Sequence, residues 1–205
     1  MKQNGMYWMM FSGNIKRVLI NRYGKEYTKA IMPKIKQQYN TLLEQFPDVG
    51  KHTLTDMVYM GVVFLALWLG TDKMFSTEEL TEIITEILRR LKYFFGIVNL
   101  NKSWAKKKLN RETKAYMEWI EKEGANYPSK WEGYIDSETH NKGIYYIFTK
   151  CPIHDFCKEH GYLEALPALC AQDYPMYDMM NGVLKRTQTL TSGTCCDFWI
   201  YGNKE

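Results

Sequence analysis

No apolar run in this chain of 205 residues is long enough to cross a bilayer: the most hydrophobic window, Met57 to Leu69, is 13 residues long, where a span needs roughly 20. That window predicts a buried helix instead. The first residues offer one Lys and then a short apolar run, Met6 to Phe11, without a small-residue cleavage pattern, so no signal peptide is expected. A large surplus of one charge sign is also missing. Lys and Arg number 27 against 23 Asp and Glu, a net charge of +4 that is too small for a nucleic-acid binder. Internal repeats, low-complexity stretches and linkers are absent, which leaves one domain over residues 1–205. Nor is there a disulfide framework. Five cysteines is an odd number, and a chain this long buries on the order of 70% of its unfolded surface without staples. Reduced thiols and a cytoplasmic location are expected, with neither a nucleic-acid nor a membrane partner.

What is present is globular in composition, 45% hydrophobic and 24% charged, which excludes disorder and fibrous repeats. Aromatics reach 15%, with 15 Tyr and 6 Trp, enough for a well-filled core or an aromatic-lined pocket. Residues 1–124 read as helices. Ile15, Val18, Leu19, Tyr23 and Tyr27, then Ile35, Tyr39, Leu42, Leu43 and Phe46, recur at helical spacing, with Pro33 expected to kink or divide the run. Thr53 and Asp56 are expected to open a central helix ending at a left-handed cap on Gly70. Ser76 and Glu79 have capping-box spacing ahead of a stripe of Leu80, Ile83, Ile84, Ile87, Leu88, Leu91 and Phe95, which Gly96 stops. A further helix spans about Ser103 to Glu123. It begins with Lys106, Lys107 and Lys108, read as a solvated face because no basic stripe continues along it.

After Gly124 the pattern becomes short, aromatic and β-branched. Trp131 to Asp136 and Ile144 to Lys150 read as adjacent antiparallel strands, followed by short helices over Cys151 to His160 and Leu163 to Cys170. Leu184 to Thr191 and Cys196 to Tyr201 read as two more strands joined by a tight turn at Ser192 and Gly193. The class is α+β: a helical N-terminal part, then a small antiparallel sheet with an inserted helical segment in residues 125–205.

Two stretches carry candidate chemistry. In C-P-I-H-D-F-C-K-E-H, Cys151, His154, Cys157 and His160 recur every three residues. On a helix the first and last lie about 13.5 Å apart along the axis, so the four cannot surround one ion. Cys151 and His154 remain half of a possible site, to be completed by Cys170, Asp173 or Cys196, but separate thiols and surface histidines are the stronger reading and no metal is expected. The second stretch combines Cys170 and Asp173 with R-T-Q-T-L-T-S-G at 186–193 and C-C-D-F at 195–198. On a strand, Thr187, Thr189 and Thr191 would share one face, and Arg186, Gln188 and Leu190 the other. Either a polar pocket wall or an exposed face rich in β-formers fits that pattern. Cys195 and Cys196 would point oppositely.

Taken jointly, K-C-P at 150–152, K-E-H-G-Y at 158–162, L-C-A-Q-D at 169–173, R-T-Q-T-L at 186–190, Gly193 and C-D-F at 196–198 resemble the L-2-amino-thiazoline-4-carboxylic acid hydrolase family. Cys151, Cys170, Asp173, Arg186, Thr187, Thr189, Gly193, Cys196, Asp197 and Phe198 match its pattern, while His154 and Cys195 lie outside it. The resemblance implies ring opening of a cyclic amidine-like carboxylate to N-carbamoyl-L-cysteine without a cofactor. It further implies Arg186 as the cation for the substrate carboxylate, Asp173 as the proton-handling carboxylate with Asp197 in reserve, and Thr187, Thr189 and Gly193 as substrate-positioning residues. Cys151, Cys170 and Cys196 are candidates for nucleophile, proton donor or buried apolar group, with Cys151 favoured as nucleophile because it precedes a helix start. A looser similarity to vinyl-reductase-type ligand-binding domains implies the alternative, a non-catalytic small-molecule-binding module.

Overall fold

A computed structural model describes residues 5–52 and 54–205. Helices α1 (Gly5–Tyr23) and α2 (Lys25–Gln45) divide at Gly24, whose φ of 86° suits glycine, and not at Pro33. Pro33 is tolerated inside α2 because it and Lys29, whose carbonyl loses its helical donor, both lie on the exposed side, within reach of water. Phe11, Ile15, Val18 and Leu19 of α1 and Ile31, Ile35, Tyr39, Leu42 and Leu43 of α2 face the core.

Helix α3 (Met57–Gly70) is buried nearly all round and packs on α1 and α2, as its apolar sequence demands. Thr53 lies outside the described residues. Gly70 is not a left-handed cap; positive φ falls at Asp72 and Lys73 instead. A Cβ at Gly70 would sit 2.5 Å from the Ile35 Cα, so this glycine lets α3 approach the α2 backbone. Helix α4 (Thr77–Arg89) starts as expected, with Ser76 Oγ accepting the Glu79 amide at 3.2 Å. The Glu79 carboxylate does not complete a capping box, because it accepts from the Tyr23 hydroxyl. Leu80, Ile83, Ile84, Ile87 and Leu88 are fully buried, each stabilising the fold by about 1.5–3 kcal/mol relative to exposure. The chain turns after Arg89, earlier than the stripe suggests, and resumes as α5 (Lys92–Phe95). Leu91 and Phe95 still pack on the core, while Tyr93 and Phe94 face solvent. Helix α6 (Ser103–Lys122) buries Ala105, Thr113, Tyr116 and Ile120, and a short 3₁₀ turn (Gly124–Asn126) follows it.

The sheet has the order β1 (Glu132–Ile135), β2 (Ile144–Lys150), β4 (Cys196–Gly202), β3 (Gly182–Lys185), with every neighbouring pair antiparallel. Between β2 and β3 come α7 (Pro152–Glu159), α8 (Leu166–Ala171) and α9 (Asp173–Met179), the last not anticipated from the sequence. Phe148 pairs with Cys196, Tyr146 with Phe198, and Ile144 and Leu184 with Ile200, so these seven side chains share the inner face. Ile147 pairs with Asp197 and Tyr145 with Trp199 on the outer face. The strand expected over 184–191 ends at Lys185. Residues 186–195 form a loop because the Asp197 carboxylate takes the Thr187 and Gln188 amides at 2.8–3.0 Å, removing donors a ladder would need. The expected turn lies inside that loop, where the Ser192 and Gly193 amides both bond the Thr189 carbonyl. Among the described residues no helix is long and apolar enough to cross a membrane.

Candidate functional site

Arg186 is the first residue beyond β3, and alternation from inward-facing Leu184 turns it inward as well. Its guanidinium lies 3.8 Å from the Phe198 ring centroid, with Tyr174 at 5.6 Å on α9. Nη1 donates to the Cys170 carbonyl at 2.8 Å at the end of α8, and Nη2 donates to the Asp173 carboxylate that opens α9. The Arg186 side chain is 3% exposed and that of Asp173 22%. Burial by itself would lower the Arg186 pKa; the charge and hydrogen bond of Asp173 outweigh it and raise the value, so the buried guanidinium stays charged.

Nε of this arginine has no hydrogen-bond partner although it is buried, and the same holds for the Tyr116 hydroxyl and Gln172 Oε1. Orphaned buried polar atoms are uncommon and costly, about 1–3 kcal/mol each. The other two are linked to Arg186, one through packed rings and one through the chain. Tyr116 lies 6.2 Å ring to ring from Phe148, Phe148 lies 5.7 Å from Phe198, and Phe198 carries Arg186. Gln172 adjoins Asp173 in the chain. Tyr146 and Tyr177 influence each other electrostatically and lie in the field of Asp173 and Arg186. Burial lifts Tyr146 well above the ordinary phenol value and Tyr177 to about 12.

Three thiols border this group and feel one another electrostatically. Cys151 stands at the α7 N-terminus, as expected, and the amides of His154 and Ile153 act to lower its pKa, although no full capping hydrogen bond forms. Burial dominates and pushes the thiol up to about 12. Burial likewise raises Cys170, and it raises Cys196, whose sulfur accepts the Leu190 amide at 3.2 Å. All three are protonated near neutral pH.

The structure thus brings Cys151, Cys170, Asp173, Arg186 and Cys196 to the inner side of the sheet, and leaves the other sequence candidates outside. Asp197 lies on the opposite face, where it accepts the Thr187 hydroxyl at 3.0 Å besides the two amides. Burial acts to raise its pKa, but these donors hold it below the usual carboxylate value. The Thr189 hydroxyl pairs with that of Thr191 at 2.6 Å, and Gly193 leaves room for the Gln188 amide oxygen, which a Cβ would approach to 2.1 Å. These four shape the loop that presents Arg186. His154 bonds its neighbour Asp155 at 3.1 Å, and Cys157 is a core residue pushed up to about 12 by burial. Among the described residues no three His, Cys, Asp or Glu side chains are placed to hold a metal ion.

Sequence reasoning missed Tyr116, Tyr146, Gln172 and Tyr177. Tyr146 is legible as the residue two before inward Phe148, and Tyr177 as the residue one helical turn after Asp173. Nothing local marks Tyr116, which reaches the site from α6.

No curated protein and no solved structure matches the chain significantly. The sequence profile of the L-2-amino-thiazoline-4-carboxylic acid hydrolase family matches residues 56–200, from the start of α3 to β4. That span holds every element around Arg186 and well over half of the chain, and on this ground the protein belongs to the L-2-amino-thiazoline-4-carboxylic acid hydrolase family.

Proposed function

We propose that the protein hydrolyses L-2-amino-thiazoline-4-carboxylate, or a closely similar cyclic amidine-like carboxylate, at the Arg186–Asp173 pair. The observation that supports this most is the buried Arg186 with one N–H unpaired beside a carboxylate. A substrate carboxylate docking on Nε satisfies that donor while Nη1 and Nη2 keep the Cys170 carbonyl and Asp173. The amidine of the same molecule then lies on the Asp173 side. Because Arg186 is nearly inaccessible, substrate entry requires the loop to move beyond the amides that Asp197 holds, at residues 189–195, with Arg186 kept on its partners.

In the reaction a water oxygen bonds to C2 of the ring as Asp173 takes its proton, and the C2=N3 π electrons move onto nitrogen. The proton left on the added hydroxyl passes to N3, the tetrahedral carbon collapses to a carbonyl and the C2–S bond breaks. Asp173 returns the proton to the departing sulfur, giving the thiol of N-carbamoyl-L-cysteine. A carboxylic acid is a far stronger acid than a thiol raised to about 12, so the proton passes through Asp173 and not through Cys151. Cys151, Cys170 and Cys196 form a neutral, weakly polar wall that strengthens the electrostatics of the pair. Thr187, Thr189, Gly193 and Asp197 act at one remove, by holding the loop that carries Arg186.

Each turnover frees one thiol, which a thiol reagent reads after the protein's own five cysteines are subtracted. Asp173→Asn is expected to lower kcat by about 10²–10⁴-fold, and Arg186→Lys, which lacks Nε, to act mainly on KM. If the substrate raises the melting temperature but no thiol appears, the protein is a binding module and the hydrolase reading fails.

A further inference from the structure

We propose that residues 87–111 form a docking surface for an anionic lipid bilayer, independent of the site at Arg186. This stretch holds eight Lys and Arg and no Asp or Glu. The remainder of the chain then carries 19 basic against 23 acidic residues, so the whole positive surplus resides in one segment. Three of the eight reach acids outside it: Arg90 to Glu86 at 3.4 Å, Lys108 to Glu112 at 3.8 Å, and Lys106 to Glu205.

Charge alone describes a solvated face, and the second observation is apolar. Tyr93 is 92% exposed, Phe94 60%, Ile97 71% and Trp104 53%, four large side chains presented to water within 12 residues. Such exposure has a cost unless a partner covers it, and clustered exposure of this kind marks an interaction site. The segment is also firmly footed. Leu100 is buried and its amide bonds the Met180 carbonyl at 2.8 Å, and successive turns tie Val98 to Phe95 and Lys102 to Asn99. A segment held this way keeps its exposed apolar side chains in place.

The basic residues do continue along α6, contrary to the sequence expectation. Lys107, Arg111 and, just past the segment, Lys114 are spaced i, i+4, i+7 and line one groove of about 560 Å³ whose far end holds a single acid, Glu118, and Trp104 stands one turn before Lys107 and Lys108. Aromatic and branched tips flanked by lysines and arginines fit the bilayer interface, where rings sit at headgroup level and cations meet anionic lipid. A neutral protein groove would not select for eight cations. The two features together therefore commit the surface to anionic lipid, held peripherally and without a spanning helix.

The test uses the full chain with vesicles of phosphatidylcholine alone or with 30% phosphatidylglycerol, read by co-sedimentation and tryptophan emission. Binding is expected on the anionic vesicles only, weakening as salt rises. Lys92→Gln and Lys107→Gln should each weaken it about fivefold, corresponding to about 1 kcal/mol per cation near the surface. The pair Phe94→Ser with Ile97→Ser should weaken it at least tenfold with the melting temperature unchanged, since both side chains are exposed. A blue shift on binding should vanish in Trp104→Phe. Absence of binding to anionic vesicles at low salt overturns the proposal, as does binding that the serine pair leaves intact. A concentration-dependent dimer abolished by that pair also overturns it, because a second copy would then be the occupant.

Discussion

Replacing Asp173 by Asn tests whether the interior of the site is a compensated charge pair. The substitution keeps size and one acceptor oxygen but removes the negative charge facing a guanidinium whose side chain is 3% exposed. Breaking a buried pair from one side costs about 3–5 kcal/mol, since the remaining charge stays desolvated. Asp173 is 22% exposed, and the Phe198 ring and the Cys170 carbonyl still support the cation, so the low end, about 3 kcal/mol, is expected. For a chain of this length that lowers Tm by roughly 6–12 °C. Removing both charges with Asp173→Leu and Arg186→Met should restore stability to within about 1 kcal/mol of the parent. Urea and thermal unfolding followed by circular dichroism on the parent, Asp173→Leu, Arg186→Met and the double variant form a complete thermodynamic cycle, with Asp173→Asn measured beside it. If Asp173→Asn costs less than about 0.5 kcal/mol, or if the double variant is no more stable than the worse single one, the reasoning is refuted. Turnover measured on the same samples separates the two roles of Asp173, because the double variant should regain stability and no activity.

Two further outcomes follow from the geometry. Gly70→Ala should destabilise by about 2–3 kcal/mol in urea unfolding, because its Cβ meets Ile35 backbone atoms at 2.5 and 2.8 Å, whereas Gly13→Ala, with nothing within 4 Å, should stabilise by about 0.5–1 kcal/mol. Asp197 has a folded pKa below its unfolded value, so its contribution is fully present above about pH 4 and is lost as pH falls through the folded pKa. Asp197→Asn should flatten that part of the acid stability profile and speed hydrogen exchange at the Thr187 and Gln188 amides.

Much of the architecture is written in short-range pattern. Helix α4 shows why: Ser76 supplies the cap, and the Leu80 to Leu88 stripe repeats at the helical period, so local propensity and burial agree. Strands β2 and β4 likewise appear where aromatic and β-branched residues cluster, and alternation along them separates Cys196 and Phe198 from Asp197. The motif residues Cys151, Cys170, Asp173, Arg186 and Cys196 were also identifiable in the sequence through their resemblance to the family's motif, and the family profile matches residues 56–200 around them.

Other features depend on partners remote in sequence, and only the tertiary structure decided them. Residues 186–191 have strand-like composition, yet a carboxylate ten positions after Thr187 captures their amides and makes them a loop. Pro33 stays within a helix because its side of α2 faces water, and Gly70 is required by the Ile35 backbone across a helix contact. The pairing of Arg186 with Asp173, and the raised thiols around it, arise from packing α9 beside β3 and α8 against α9. Period and propensity report what a residue does to its own neighbours in the chain. Which charge it meets, and whether water reaches it, is set by elements brought together from distant parts of the chain, and those contacts leave no local trace.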